Sequence, residues 1–206
     1  AGDPAGAAAA VGEARSIDCE DPWVLAGISD VAGHLAIADG DLDAAAAAFD
    51  ASERWHLDAH DLWSACLSRL GRAWVARARG ELETALSLHR QNLRSARSLT
   101  RSAFDFVGLA RDLRGIAAIA STLGRDEPAL RLCAASEALR TTGEVALTAD
   151  ERAEVDHVVA RARAMLGAAA AEQAQSAGRA LSAGDALELA GTVVDELASL
   201  VPVTSS

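Results

Sequence analysis

Two histidines four residues apart have the spacing of a metal-binding pair. On a helix His56 and His60 would share a face, with Asp58 and Asp61 nearby, and imidazole nitrogen is a common zinc ligand. The pair falls where two predicted helices are joined, however, and no Glu follows His56 to act as a base. We therefore expect a solvent-exposed linker here, with no metal and no catalytic residue.

Three cysteines, Cys19, Cys66 and Cys133, are the candidate nucleophilic thiols. They are widely spaced and odd in number, which argues against a disulfide framework and against a CxxC-type metal site. Cys66 and Cys133 fall on the apolar faces of predicted helices, whereas a reactive thiol needs exposed, electropositive surroundings. We expect both to be buried packing residues, and His89 to be a packed histidine. This cysteine usage indicates a reducing cytoplasm.

Arginine supplies every basic side chain, because the sequence has no Lys. A Schiff-base lysine and a P-loop lysine are therefore excluded. Arg69, Arg72, Arg111 and Arg114 fall on the first helices of predicted hairpins, where a guanidinium can bind a carboxylate or phosphate through two hydrogen bonds. Together with Trp63, they are the candidate ligand-binding residues of a concave face.

These arginines also have a simpler interpretation. Asp61, Asp105 and Asp112 lie close to them in the sequence and could form solvated ion pairs with them. Exposed pairs of that kind contribute little to stability and bind no ligand. The sequence alone leaves both interpretations open, and it indicates no cofactor.

Composition restricts the classes of function. The 206 residues are 50% hydrophobic and only 3% aromatic, and the formal charge is −11. That apolar content is enough for a sizeable core, mostly of Ala, Leu and Val, which suits closely packed helices. The acidic excess disfavours direct binding to nucleic acid, because affinity for the phosphate backbone comes from positive charge. No apolar run reaches the roughly 18 residues of a membrane span, so no membrane insertion is expected.

A repeat built around three glycines is the strongest pattern in the chain. Gly40, Gly80 and Gly124 are 40 and 44 residues apart, and each is followed by an acid after three residues and an Ala after five. A helix can end at such a glycine, which readily adopts the left-handed conformation. The acid then lies in the first turn of the next helix, where the helix dipole favours it. Each unit therefore predicts a helical hairpin.

The apolar residues recur at three- and four-residue steps throughout, without strand alternation, and this spacing is helical. The predicted fold is all-α: a tetratricopeptide-like α-solenoid of helical hairpins with a C-terminal helical cap. The repeats are assigned to 1–140, with a partial first repeat at 1–20 and hairpins at about 22–55, 60–99 and 104–140, and the capping helices to 141–206.

Further predictions concern the partial repeat at the start of the chain and the helical cap at its end. The partial repeat at 1–20 suggests that the chain is a fragment of a longer solenoid, and a frayed, low-complexity start is the alternative. In the cap, Thr148 and Ser182 are predicted N-caps, one helix is expected to end at Gly167, and a short helix is expected from about 168 to 177, before Gly178.

Several segments of the chain resemble a known family. They are similar to the C-terminal helical-repeat region of large bacterial ATPase-type transcriptional regulators, the LuxR-type and antibiotic-regulator-like multidomain proteins. The segments that carry the resemblance are Arg79-Gly80-Glu81-Leu82-Glu83-Thr84-Ala85, Leu113-Arg114-Gly115-Ile116-Ala117-Ala118-Ile119-Ala120, Ala129-Leu130-Arg131-Leu132, Ala135-Ser136-Glu137-Ala138-Leu139-Arg140, and Gly178-Arg179-Ala180-Leu181-Ser182 with Ala186-Leu187.

The resemblance implies a superhelical sensor or scaffold. Such a region would receive an inducer or a protein partner and restrain ATPase and DNA-binding domains elsewhere in the polypeptide. We therefore expect a non-catalytic module for protein–protein interaction in signal transduction and transcriptional regulation, which binds a partner domain, a protein or a small inducer in a groove. The alternative is a free-standing adaptor that binds peptides; fold analogy carries much of both expectations.

Overall fold

The computed structural model describes residues 4–99, 105–142 and 146–201. These residues form helices and turns with no β-strand among them, so the all-α prediction is confirmed. No helix among them is both long enough and apolar enough to cross a membrane. The helices within these ranges are α1 Pro4–Ser16, α2 Pro22–Ala38, α3 Leu42–Asp58, α4 Leu62–Ala78, α5 Leu82–Leu99, α6 Asp105–Thr122, α7 Asp126–Thr142, α8 Ala149–Leu166, α9 Ala168–Arg179 and α10 Ala183–Leu200.

The chain divides into two compact units, Ala1–Leu88 and His89–Ser206, and the division falls inside α5. In the first unit, α2 packs against α1 and α3, and α3 packs against α4. In the second unit, α6 packs against α7, which also contacts α8 and α9, while α10 packs on α6 and α7. The predicted separation of repeats at 1–140 from a cap at 141–206 is a different division and stays a prediction.

Four turns between helices share one backbone geometry. Gly40, Gly80 and Gly124 have φ values of +75°, +78° and +71°, and His60 has a φ of +58°. In each turn, the left-handed residue donates its N–H to the carbonyl three residues earlier, and the next N–H donates to the carbonyl five residues earlier. This pair of bonds satisfies carbonyls left open at a helix C-terminus. The three glycines therefore end their helices as the repeat predicts.

The helices that follow these glycines also begin as predicted. Each carries an acid in its first turn and then an alanine with none of its surface exposed, which lets a neighbouring helix approach closely. The acids are Asp43, Glu83 and Glu127, and the alanines are Ala45, Ala85 and Ala129.

The expected exposed linker around His56 and His60 is wrong for His56. Helix α3 continues to Asp58, and His56 lies in its last turn with only 4% of its surface exposed. Of the two histidines only His60 is exposed, and it takes the left-handed position of a tight turn. Asp61 then caps α4 by accepting a hydrogen bond from the Ser64 N–H at 3.1 Å.

Phe49 fills the centre of the first unit. Its ring is 1% exposed and packs with Ala45 and Val75. A Cβ placed on Gly33 of α2 would lie 2.8 Å from the ring, and one on Gly71 of α4 would lie 2.7 Å from it. The ring therefore occupies space that glycine leaves open on both neighbouring helices.

The C-terminal helices have the predicted caps. The Glu151 N–H donates to Thr148 Oγ1 at 3.2 Å and the Thr148 N–H donates to Glu151 Oε2 at 2.9 Å, which is a reciprocal capping box. Gly167 ends α8 with a φ of +78°, and Ser182 caps α10 through the Asp185 N–H.

Gly178 has a different role from the predicted one. It does not end α9, which continues to Arg179. A Cβ on Gly178 would lie 2.3 Å from the carbonyl oxygen of Arg131 on α7 and 2.8 Å from the Ala134 Cβ. Glycine at this position lets α9 approach the backbone of α7 closely.

Candidate functional site: an arginine-lined cleft

The five predicted ligand-binding residues are divided between the two units. Trp63, Arg69 and Arg72 lie on α4 in the first unit, and Arg111 and Arg114 lie on α6 in the second. The structure brings Arg69 and Arg72 onto one carboxylate, and it places Arg111 and Arg114 beside one cleft. Trp63 is partly buried in the first turn of α4.

Arg69 and Arg72 hold the buried carboxylate of Glu53. Arg69 donates from Nε and Nη2 to Glu53 Oε1 at 2.8 and 2.5 Å, and Arg72 donates from Nη1 to Oε2 at 2.5 Å. Arg72 Nη2 also lies 3.4 Å from Asp50 Oδ1. Glu53 and Arg69 are 6% and 9% exposed. These guanidinium groups are therefore engaged within the first unit.

The three aspartates expected as partners of the arginines are placed otherwise. Asp61 caps α4 and lies 3.7 Å from His56 Nδ1, and Asp112 is bonded to His89. The side chain of Asp105 lies outside the described residues. The expectation of exposed pairs between neighbours in the sequence is thus wrong for Arg69, which is buried against Glu53 of the preceding helix.

A cleft in the second unit is lined by arginines from two helices. Arg111 and Arg114 lie on its α6 side and Arg140 on its α7 side, and Glu151 contributes from the first turn of α8. Its volume is about 10 Å³, which is room for about one water molecule. Three arginines and one glutamate therefore contribute to the lining of the cleft. The apolar part of the lining is Val107, Ala110, Ala146 and Leu147.

Arg114 is the buried cation of this cleft. It is 8% exposed, and its Nη2 donates to Glu151 Oε1. Burial lowers the pKa of Arg114, the charge of Glu151 opposes that change, and the nearby charge of Arg111 lowers the pKa further. An arginine nevertheless stays protonated at neutral pH. Glu151 uses its other oxygen for the Thr148 N–H, so one carboxylate serves both a cation and a helix cap.

Arg140 forms a forked pair with Glu137, one turn earlier on α7. Its Nε donates to Glu137 Oε2 at 2.9 Å and its Nη2 donates to Oε1 at 2.5 Å. Hydrogen bonding from Arg140 lowers the pKa of Glu137, and the same bond raises the pKa of Arg140. The charge of Arg140 is therefore matched by a carboxylate outside the cleft lining.

Arg111 is the remaining cation. Among the described residues no carboxylate lies within ion-pair distance of its guanidinium, and its side chain is partly buried at the cleft. It is close enough to Arg114 for its charge to lower the pKa of that group. The charges of Glu151 and Glu154 act on Arg114 in the opposite direction, so the positive charge near the cleft is offset by more than one carboxylate.

Ser, His and Asp side chains also meet inside the first unit. Ser52 and Ser68 donate to Asp30 Oδ1 at 2.7 and 3.0 Å, and His56 Nε2 lies 3.2 Å from Asp30 Oδ2. Both serines have none of their surface exposed. A serine nucleophile needs a base beside it and access to substrate, whereas these hydroxyls bond to the carboxylate and are shielded from solvent. The network joins α2, α3 and α4.

The second unit contains a related network, in which two of the three residues take the repeat positions of Ser52 and Ser68. His89 Nδ1 lies 2.7 Å from Asp112 Oδ1, and Asn92 donates to the same oxygen at 3.4 Å. All three side chains are buried, so the prediction of a packed His89 is confirmed. Asn92 and Asp112 have the same spacing from Gly80 and Gly124 as Ser52 and Ser68 have from Gly40 and Gly80. Sequence analysis missed both networks, although the repeat alignment carried this signal.

The cysteines are free thiols. Cys133 is 4% exposed, as predicted, and burial together with the charge of Glu154 raises its pKa to about 12. Cys66 is only partly buried, whereas a buried packing residue was predicted. Within the described part of the chain, no group of three or more His, Cys, Asp or Glu side chains is arranged to hold a metal ion.

Comparison of the chain with protein-family models, with curated proteins and with solved structures finds no match.

Proposed function

We propose that this chain is a non-catalytic interaction module, a tetratricopeptide-like α-solenoid that holds a partner protein, a partner domain or a small inducer. The observation that carries the proposal is the turn repeated at Gly40, His60, Gly80 and Gly124, with one left-handed geometry and one pair of hydrogen bonds. Recurrence of one helix–turn unit is the physical basis of a solenoid, because each unit covers the apolar face of its neighbour.

Packing between successive hairpins supports the same proposal. The ring of Phe49, on the second helix of its hairpin, lies against Gly71 on α4. The ring of His89, at the equivalent place on α5, lies against Gly115 on α6. The contact between a ring on one hairpin and a glycine on the next thus occurs twice. The two occurrences have the same spacing as the turn glycines Gly40, Gly80 and Gly124. Such regular stacking produces the extended concave surfaces that helical-repeat proteins use for binding.

The burial and hydrogen bonding of the polar side chains favour a binding role over catalysis. Ser52, Ser68 and His56 are enclosed around Asp30, and Cys133 is a buried, protonated thiol. Groups in these states stabilise helix packing and are poor nucleophiles or bases.

The resemblance to the helical-repeat region of bacterial ATPase-type regulators supports a more specific role. On that basis we place the module in a cytoplasmic transcriptional regulator, where it senses an inducer or restrains another domain. The acidic charge of −11 agrees with a segment that leaves contact with DNA to another domain.

The test is saturable binding without turnover. A display library of short peptides with acidic, neutral and basic members is selected on the purified chain, and each hit is titrated by fluorescence anisotropy. We expect one-to-one binding with dissociation constants of about 1–100 µM, and peptides recovered intact by mass spectrometry. Peptides recovered cleaved or modified would contradict the proposal, and a library without a saturable binder would contradict docking of a peptide segment.

A further inference from the structure

Acidic charge and exposed apolar surface are concentrated in the first unit. Residues 1–88 contain 15 acidic residues and six arginines, whereas residues 89–206 contain 15 acidic residues and 13 arginines. Nearly all of the formal charge of −11 therefore belongs to the first unit. Among the large apolar side chains that the structure describes as exposed, only Met165 and Leu200 lie in the second unit.

Three exposed apolar side chains lie at one end of the first unit, where α2 begins, α3 ends and α4 begins. Trp23, Leu57 and Leu62 are 57%, 40% and 53% exposed. The buried imidazole of His56 lies between them. Its ring centroid is 6.0 Å from that of Trp23, and its Nδ1 is 3.7 Å from Oδ2 of Asp61, the residue before Leu62. The three side chains are termed the Trp23 patch.

Three aspartates border the Trp23 patch without an arginine partner among the described residues. Asp21 and Asp61 cap α2 and α4 by accepting backbone N–H groups at 2.9 and 3.1 Å, and the dipoles of these helices offset part of their charge. Asp58 is different, because it is exposed at the C-terminus of α3, where the helix dipole disfavours a negative charge. Helix stability therefore does not account for Asp58.

The basic groups at this end leave a net negative charge. Arg54 lies one turn before Asp58, but its Nε lies 3.4 Å from Asp50 in the opposite direction along α3. His56 lies between two carboxylates, and His60 is exposed in the turn before α4. With Asp50 included, five aspartates stand against one arginine and two histidines, so the charge stays negative even when both histidines are protonated.

These features favour a basic and apolar polypeptide as the occupant. A negative surface repels nucleic acid and anionic membranes, and it repels a second copy of the same patch. The apolar side chains come from three helices and form an open surface, whereas small molecules bind in enclosed pockets. An exposed tryptophan is a common anchor for a protein partner, and its ring can also accept a guanidinium or ammonium group.

We propose that the Trp23 patch docks a partner polypeptide segment that carries arginine or lysine beside apolar side chains, with Asp58 as the principal charged contact. The inference rests on the proposed function, because it names the partner chemistry of that interaction module.

The display library of the functional test supplies the probes. We expect the selected peptides to be enriched in arginine or lysine next to apolar residues. The tightest binder is then synthesised again with glutamine, and with glutamate, at its basic positions. In anisotropy titrations the glutamine form should bind at least about tenfold more weakly, and the glutamate form more weakly still.

Two pairs of variants place the binding site. Asp58→Asn is compared with Asp39→Asn, since Asp39 is the exposed C-cap of α2 at the end opposite to Trp23. Leu62→Ala is compared with Met165→Ala, which shortens an exposed side chain of the second unit. Asp58→Asn should weaken binding about two- to fivefold and Leu62→Ala about fivefold, while both controls bind as wild type does.

Thermal unfolding separates a binding role of Asp58 from a structural one. Asp58→Asn should unfold at the same temperature as wild type or higher, because it removes a charge that the dipole of α3 disfavours. In 1H–15N NMR of the wild-type protein, the indole N–H signal of Trp23 should shift on titration with the basic peptide. The signal of Trp74, near the other end of α4 from Leu62, should not shift.

The inference is overturned if no peptide binds, if acidic or neutral peptides dominate the selection, or if Asp58→Asn and Asp39→Asn weaken binding equally. A wild-type dimer in sedimentation velocity that Leu62→Ala abolishes would also overturn it, by assigning the patch to a second copy of the chain. If library peptides bind while the Trp23 signal and the affinity of Asp58→Asn stay unchanged, the interaction module stands and this docking site fails.

Discussion

Gly115 on α6 lies directly against the imidazole of His89, so that a Cβ at this glycine would fall 2.6 Å from His89 Cε1. The imidazole is held in place because its Nδ1 lies 2.7 Å from Asp112 Oδ1. Phe49 and Gly71 make the corresponding contact in the first unit. Glycine at these two helical positions therefore makes room for a neighbouring ring, whereas the turn glycines provide a positive φ.

Replacing Gly115 with alanine should destabilise the protein. The added methyl group cannot fit unless His89 moves away from Asp112, so we expect a loss of about 1–3 kcal/mol. The free energy of unfolding in urea measures this. Gly108→Ala is the matched control, since Gly108 lies on the same helix with nothing within 4 Å of a built Cβ, and alanine there should add up to about 1 kcal/mol. Equal effects of the two substitutions would contradict the contact.

His60→Gly should stabilise the protein. His60 has a φ of +58° and is exposed, and a left-handed conformation costs a non-glycine residue about 1 kcal/mol or more. Glycine removes that cost and loses more backbone entropy in return, so the expected net gain is about 0.5–1 kcal/mol.

Thermal and urea unfolding check this gain. Gly80→Ala provides the reverse test, because it forces a Cβ into the equivalent turn at a φ of +78°, and it should lose about 1 kcal/mol. A His60→Gly variant that is less stable than wild type would show that the histidine side chain contributes more than its backbone costs.

The free energy of unfolding should fall when either member of the buried Glu53–Arg69 ion pair is removed alone. Glu53→Leu leaves Arg69, only 9% exposed, without its carboxylate. We expect a loss of roughly 3 kcal/mol in the free energy of unfolding, because an uncompensated buried charge is strongly unfavourable.

Combining Glu53→Leu with Arg69→Leu should recover most of that loss. The repeat alignment places Leu93 and Leu113 at the equivalent positions around Gly80 and Gly124, and both are buried. Replacement of a buried ion pair by apolar residues is often neutral or stabilising. A double variant as unstable as Glu53→Leu alone would mean that the pair fixes local structure that leucines cannot replace.

The sequence predicted the parts of the fold that depend on local backbone chemistry. Gly40, Gly80 and Gly124 end helices because glycine tolerates a positive φ. A junction between helices was predicted near His60, but its left-handed turn was not, because histidine occupies the glycine position. His60-Asp61-Leu62 nevertheless matches Gly40-Asp41-Leu42 and halves the 40-residue spacing. A pattern search that requires glycine cannot find this turn, whereas the acid and leucine that follow could have revealed it.

The candidate site was harder to predict because its partners are distant in the sequence. Arg111 and Arg114 were identified from their residue type and their place on a first helix. Glu151, the carboxylate that meets Arg114, lies 37 residues away and also caps α8. Neither helix periodicity nor nearby aspartates indicates such a pairing, which depends on how α8 packs near α6.

Cys133 should resist alkylation in the folded protein. Burial raises its pKa from 9.0 to about 12, so at pH 9 the native thiol stays protonated while the thiol of the unfolded chain is half ionised. The native state thus holds this proton more tightly, and the stability it contributes below pH 9 is lost as the pH rises toward 12. Iodoacetamide at pH 9 with peptide mass spectrometry should modify the partly exposed Cys19 in native protein and Cys133 only in urea. Alkylation of Cys133 at the rate of Cys19 in native protein would show that α7 opens at this position.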